Sequence, residues 1–366
     1  MEFFMLIVLL PLCASVIMMP YLTRKTISFG ISIPEEAFQE EEITGVRKRY
    51  IKWTGLTSIL LILGMMLLVK DVTDADTGRI IALSMLPLLF FIVAFWVYLK
   101  AHHKMKALKE SKAWHAQQRQ YATAHLTSAA ERKAVYSNAW FVIPALVAML
   151  SFVLTFLNYN QMPNPLPMKY DFAGNVTVWE EKTYKIVYLL PIIQVYMIAL
   201  FVFINSMIDR AKQQIDPAHR KRSLKQQQSF RAYWSLFLLI TCVLIVGLFF
   251  FLQLTYLIEV PSTLITIVPI GISTVIIIGA IVLSLITGQG GSRLRVPDSD
   301  QGIGVQRDDD RYWKLGLFYI NRHDPALFLE KRMGVGWTVN LGRPTVWIVL
   351  AIILGSSLAL SLWTMW

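Results

Sequence analysis

Eight apolar runs punctuate the chain, near residues 3–21, 53–69, 80–99, 140–157, 184–208, 233–254, 264–286 and 345–365, and the segments between them carry its charge. Each run is close to the roughly 20 residues that a helix needs to cross a hydrocarbon layer. No Asp, Glu, Lys, Arg or His lies in the core of any run. The pattern predicts an all-α integral membrane protein of about eight transmembrane helices. It divides into an N-terminal three-helix region (1–139), a four-helix region (140–286) with a long outer loop at 158–183, a cytoplasmic segment (287–344) and a last helix (345–366).

Composition agrees: 55% of residues are hydrophobic, 16% are charged and mean hydropathy is +0.51, leaving too little polar surface for a soluble globule of 366 residues. The formal charge of +11 sets the orientation. With the first helix running inward, 30 Lys and Arg fall on the inner side and 5 on the outer, so the positive-inside rule puts both termini outside. That distribution accounts for the basic balance through topology and anionic lipids, and a nucleic-acid partner is not expected. No basic residue precedes the first run and Arg24-Lys25 follow it, the flanks of a retained helix rather than a cleaved leader. Outer acids such as Asp71, Asp74, Asp76, Asp171, Glu180 and Glu181 are either solvated loop residues or a weak attraction for a cationic ligand.

The uncharged spans argue against ion-coupled transport and proton pumping, which place titrating groups within the membrane. All six histidines fall in predicted cytoplasmic segments and there is no H-E-x-x-H, so neither a metal nor a cofactor is expected. Cys13 and Cys242 sit in apolar runs as small hydrophobes. Gln194, Asn205 and Gln253 are left as interhelical hydrogen-bonders or ligand contacts. Pro87, Pro191 and Pro269 each lie early in a helix that starts outside, where they shape a cavity or are merely tolerated.

The longest outer segment reads NYNQMPNPLPMKYDFAGNVTVWEEKT. Pro163, Pro165 and Pro167 stiffen its first half in an extended form, and Gly174-Asn175 offers a turn. Its motif resembles that of the SdpI-like bacteriocin-immunity membrane family and its relatives of unknown function: Pro167, Tyr170, Asp171, Gly174, Trp179, Lys182 and Pro191 stand at the matching positions. Lys169 replaces the usual His of that motif. The resemblance implies a bacterial cytoplasmic membrane and a non-enzymatic role in immunity or sensing. Pro167, Lys169, Tyr170, Asp171, Gly174, Trp179, Lys182 and Pro191 become the candidate ligand-binding residues. Tyr170, Phe172 and Trp179 read alternatively as interfacial anchors.

On the cytoplasmic side, residues 22–50 read as a solvated juxtamembrane segment, and 101–134 as one or two surface helices. Gly288 to Arg293 lack P-loop spacing and read as a helix exit. Asp308, Asp309 and Asp310 suit helix capping better than a cation site. Ala326 to Arg332 and Trp337 to Leu341 read as two strands around a glycine turn. Residues 308–344 resemble a small domain of unknown function at the end of related membrane proteins. This segment either binds a partner or lipid headgroups, or packs under the bundle. The expected partners are therefore the lipid bilayer, an extracellular peptide and a cytoplasmic regulator, with a permease or flippase for an apolar or zwitterionic substrate as the alternative function.

Overall fold

The structure is a computed structural model that describes residues 2–69, 77–114, 135–171, 173–215, 219–297 and 309–365. Eight helices follow in order: α1 (Glu2–Leu22), α2 (Glu41–Val69), α3 (Thr77–Ser111), α4 (Val142–Asn158), α5 (Tyr184–Arg210), α6 (Arg220–Leu254), α7 (Ser262–Thr287) and α8 (Pro344–Met365). Seven of them, α2 to α8, are long and apolar enough to cross a membrane. Within α1 the described apolar stretch is the shorter Leu6–Leu22. Among the described residues there are also four two-stranded antiparallel ladders, so the fold is mostly helical with small hairpins. They are β1 (Ile27–Ser28) with β2 (Ile31–Ser32), β3 (Leu166–Tyr170) with β4 (Val176–Glu180), β5 (Trp313–Lys314) with β6 (Phe318–Tyr319), and β7 (Phe328–Glu330) with β8 (Trp337–Val339).

Several helices outrun their apolar cores. α2 starts at Glu41, α3 continues to Ser111 and α6 starts at Arg220, because hydropathy marks only the lipid-covered part of a helix and charged turns propagate it into water. Glu41 and Glu42 sit in the first turn of α2, where acids suit the helix dipole. Residues 115–134, the rest of the expected surface helices, lie outside the described residues, as do Asp308, Phe172 and the acids of the 70–76 loop.

The chain divides into two compact units. The first comprises Met1–Glu131, Ala211–Phe230 and Ile281–Val346. Its apolar part packs Leu9 and Cys13 of α1, Leu61 and Met65 of α2 and Phe90 of α3. At the basic ends of these helices lies a second core, and here the expectation of a solvated segment at 22–50 is corrected. Ile27, Phe29, Ile31 and Ile33 alternate with Ser28, Gly30 and Ser32, a period-2 pattern with buried apolar positions. Phe29 and Gly30 both have positive φ (46° and 77°), as a two-residue type I′ hairpin turn requires. A phenylalanine in that conformation is strained, and its burial against Tyr50 (5.2 Å) and Tyr98 (6.3 Å) offsets the cost. Ile43, Val46 and Tyr50 of α2 close this core at helical spacing.

The segment after residue 308 belongs to the same unit. Phe328–Glu330 and Trp337–Val339 form the expected hairpin around Gly334 and Gly336, both at positive φ. The fully buried Asn340 ties its base together: Oδ1 accepts from Asn321 N and Gly342 N, while Nδ2 donates to the carbonyls of Asn321, Asp324 and Ala326. Gly30 and Gly316 meet backbone to backbone; a Cβ on Gly30 would lie 2.5 Å from Gly316 Cα.

The second unit comprises Arg132–Arg210, Arg231–Ala280 and Trp347–Trp366. Phe141, Phe201, Leu239, Cys242 and Val246 form its membrane-level core, and Met162, Leu166, Val187 and Tyr256 a second cluster under the β3–β4 hairpin. The most apolar window of α7 has no residue buried and that of α8 has 6% buried, so both pack only lightly against the rest of the protein.

Candidate functional site

The hairpin between α4 and α5 carries seven of the eight residues predicted to bind a ligand. Leu166 faces Glu180, Pro167 faces Trp179 and Tyr170 faces Val176, with irregular register around Lys169. Asp171 builds the turn. One carboxylate oxygen accepts from Ala173 N (2.9 Å) and Asn175 N (2.8 Å), and the other from Asn175 Nδ2 (3.1 Å). The Asn175 side-chain amide, followed by the Asn175 and Ala173 backbone N–H groups, holds this carboxyl below its ordinary value despite some desolvation. Gly174 has φ +81° and a Cβ there would lie 2.4 Å from Ser262 O, so only glycine lets the turn touch the start of α7.

Other candidates are also engaged in holding the hairpin. Tyr170 Oη donates to Thr255 Oγ1 (3.2 Å). Lys182 Nζ donates to the carbonyls of Tyr159 (3.3 Å) and Met162 (2.9 Å), capping the end of α4 with its charge. Pro167 is buried in the ladder, and Pro191 is buried one to two turns into α5. Lys169 and Trp179 remain exposed, Trp179 at 54%. The loop thus brings its motif together as a framework on which Lys169, Asp171 and Trp179 are exposed, Asp171 being committed to the turn, and Phe172 lies outside the described residues.

Sequence reading undervalued the interior of this unit. Gln253 Nε2 donates to Ser151 O (3.0 Å) and bonds Thr155 Oγ1, tying α6 to α4 near the hairpin. Further along, Gln194 of α5 is fully buried with neither amide atom partnered. At the far end Asn205 Nδ2 donates to Tyr136 O (2.9 Å) and Asn138 Oδ1 (2.8 Å), and Ser235 Oγ donates to Asn205 Oδ1 (2.6 Å). Beside them opens a cavity of about 270 Å³. Its signal was present in Asn138 and in the Asp209-Arg210 pair ending an apolar helix, but no motif spacing marks it.

In the first unit, the capping role expected for the aspartates is corrected. Arg332, 3% exposed, bonds Asp309, Asp310, Ser32 Oγ (3.2 Å) and Gly30 O (2.9 Å), and Lys109 Nζ reaches Asp310 at 2.7 Å. Burial opposes ionisation of Asp310, but Arg332 and Lys109 outweigh it and hold the carboxyl below its ordinary value. Asp324 behaves alike: burial pushes its pKa up, but Lys212 Nζ at 2.5 Å, with Ala326 N–H and Tyr319 Oη, outweighs burial and holds the carboxyl below its ordinary value. Arg24 pairs with Glu330 at 2.5 Å and its backbone N–H donates to Gln289 Oε1. These contacts are packing beneath the α1–α3 helices, and no group of His, Cys, Asp and Glu among the described residues could hold a metal.

Two segments match family models. Residues 146–195, which take in most of α4, the hairpin and the start of α5, match a domain of unknown function, DUF1648, a membrane-associated family. Residues 322–347 match a family of unknown function, DUF5808, over the β7–β8 hairpin and the entry to α8. No curated protein and no solved structure matches the chain.

Proposed function

We propose that the chain is a non-enzymatic, SdpI-like multi-pass protein of the bacterial cytoplasmic membrane, with both termini and the β3–β4 hairpin outside. The hairpin recognises a peptide or envelope molecule and so provides immunity or sensing. The observation that carries this reading is the division of labour in the hairpin. Asp171, Gly174, Tyr170 and Lys182 hold its shape, while Lys169 and Trp179 stand exposed on it. A cation and an indole on a rigid platform suit a peptide with an acidic group and an apolar side chain. The small basic-side domain is where a cytoplasmic regulator would meet the bundle.

The test is the double variant Lys169→Ala, Trp179→Ala. Loss of peptide tolerance or binding at unchanged membrane abundance is expected. Full tolerance and binding would sink the reading. Gln194 supports a second reading, a permease or flippase for an apolar or zwitterionic substrate, because an unpartnered buried amide lies along the bundle interior. Proteoliposome uptake or scrambling no faster than in empty vesicles would rule against it.

A further inference from the structure

The cavity at the far end of the second unit has the chemistry of a lipid headgroup site. It lies where α5 leaves its apolar stretch, and Tyr136, Ser137, Asn138, Ser206, Asp209 and Arg210 line it. Its depth follows from its neighbours. Tyr136 in its lining is 39% exposed and Trp140, two residues beyond the lining Asn138, is 53% exposed, and exposed Tyr and Trp collect at headgroup level. Its rear wall is rigid, because Asn205 is 1% exposed and bonded on three sides, while Asn138 Nδ2 donates to Ser206 Oγ at 2.9 Å.

The mouth carries opposite charges. Asp209 and Arg210 are both exposed, and no ion pair among the described residues joins them. Arg231 Nη1 donates to the Asp209 backbone carbonyl (3.1 Å), fixing the end of α5. A guanidinium fork fits a phosphodiester, and a neighbouring carboxylate fits an ammonium that can donate hydrogen bonds. We propose that this cavity binds a zwitterionic glycerophospholipid with a primary ammonium, of the ethanolamine type, with its phosphate on Arg210 and its ammonium on Asp209. A choline headgroup presents no N–H to Asp209, and a glycerol headgroup presents no cation. The inference stands on this cavity alone and does not depend on what the hairpin binds.

The experiment is native mass spectrometry of the full chain, released from detergent containing equimolar phosphatidylethanolamine, phosphatidylcholine and phosphatidylglycerol of identical acyl chains. Retention of the ethanolamine lipid about tenfold over the choline lipid is expected, the scale of one charge-assisted hydrogen bond. Asp209→Asn should abolish that preference, and Arg210→Gln should lower retention of both lipids. The variant Lys169→Ala should leave retention unchanged, and unchanged melting temperatures of the two cavity variants exclude misfolding. Equal retention of ethanolamine and choline lipids, a preference for the glycerol lipid, or an Asp209→Asn chain that still discriminates would overturn the proposal. Displacement of the lipid by glycerophosphoethanolamine at matched concentration would overturn its bilayer source, assigning the cavity to a soluble phosphodiester.

Discussion

Replacing Arg332 with Met tests how the basic-side domain is held. The guanidinium is 3% exposed and bonds two carboxylates, a hydroxyl and the Gly30 carbonyl, so its removal leaves acids in a poorly hydrated place. Deleting one partner of a buried ion pair costs about 3–5 kcal/mol. Here Asp310 keeps Lys109 at 2.7 Å, and the Asp309 side chain is 25% exposed, which points to the lower end, about 3 kcal/mol. At 1.4 kcal/mol per tenfold, that is roughly a 100-fold loss of protection where exchange runs through opening of this domain. Hydrogen exchange of the full chain in nanodiscs should show it over residues 27–33 and 313–341, with the membrane-level core of the second unit unchanged. Adding Asp309→Asn to Arg332→Met should restore part of the protection, since Asp309 is the carboxylate whose cation is then gone, whereas Asp310 still faces Lys109. A rise of less than about threefold in both segments would refute the reasoning and mean that water already screens the cluster.

Further outcomes follow from the same geometry. Gly174→Ala forces both a strained φ and a backbone clash with Ser262, so a cost of about 1–3 kcal/mol and lost protection over 166–180 are expected, whereas Gly336→Ala, whose Cβ would meet nothing within 4 Å, pays only for its φ. Asp171→Ala should loosen the same turn, seen as faster exchange of the Ala173 and Asn175 amides. The carboxyls of Asp310 and Asp324 titrate below 3.8 when folded, so their stabilisation is complete above that value and is lost as pH falls through the depressed folded values. The part of the acid transition that these two carboxyls govern should therefore lie below about pH 5, read by the fluorescence of Trp313, which is 4% exposed. Phe29→Ala relieves the positive-φ strain poorly and empties the core between Tyr50 and Tyr98, for a loss of about 3–5 kcal/mol read by thermal unfolding.

The helices were legible because a bilayer imposes one requirement, length times hydropathy, that a single sequence displays directly. The β7–β8 hairpin was legible from its glycines, while of the β3–β4 hairpin only the extended first half and the Gly174-Asn175 turn were legible, not the pairing of two strands. What charge concealed was the β1–β2 hairpin. Ile27 to Ile33 alternates strictly, yet it lies between Arg24-Lys25 and a run of glutamates that made the segment look solvated. Asp309 and Asp310 were misread as caps because their partners, Lys109 and Arg332, are remote in sequence or counted as ordinary basic-side charge. In the candidate site, chemistry named the residues but not their duties. Asp171 and Lys182 look like ligand contacts, and only the fold shows their hydrogen bonds committed to turn and helix end. The headgroup-level cavity had no motif, because Asn138 and Arg210 become neighbours only once α4 and α5 pack.

The meeting of Gly30 with Gly316, reinforced by the Arg332 bond to Gly30 across 302 positions, sets an order on biosynthesis. The β1–β2 hairpin emerges from the ribosome well before Asp310, Gly316 and Arg332. For most of translation, therefore, Lys109 has not met Asp310, and the apolar residues around Phe29 wait at the membrane surface. A chain released before residue 309 displays open strand edges and uncovered apolar side chains to chaperones and membrane proteases. The core around Phe29 is thus closed by residues more than 280 positions downstream, so its packing waits on the segment that carries Asp310, Gly316 and Arg332.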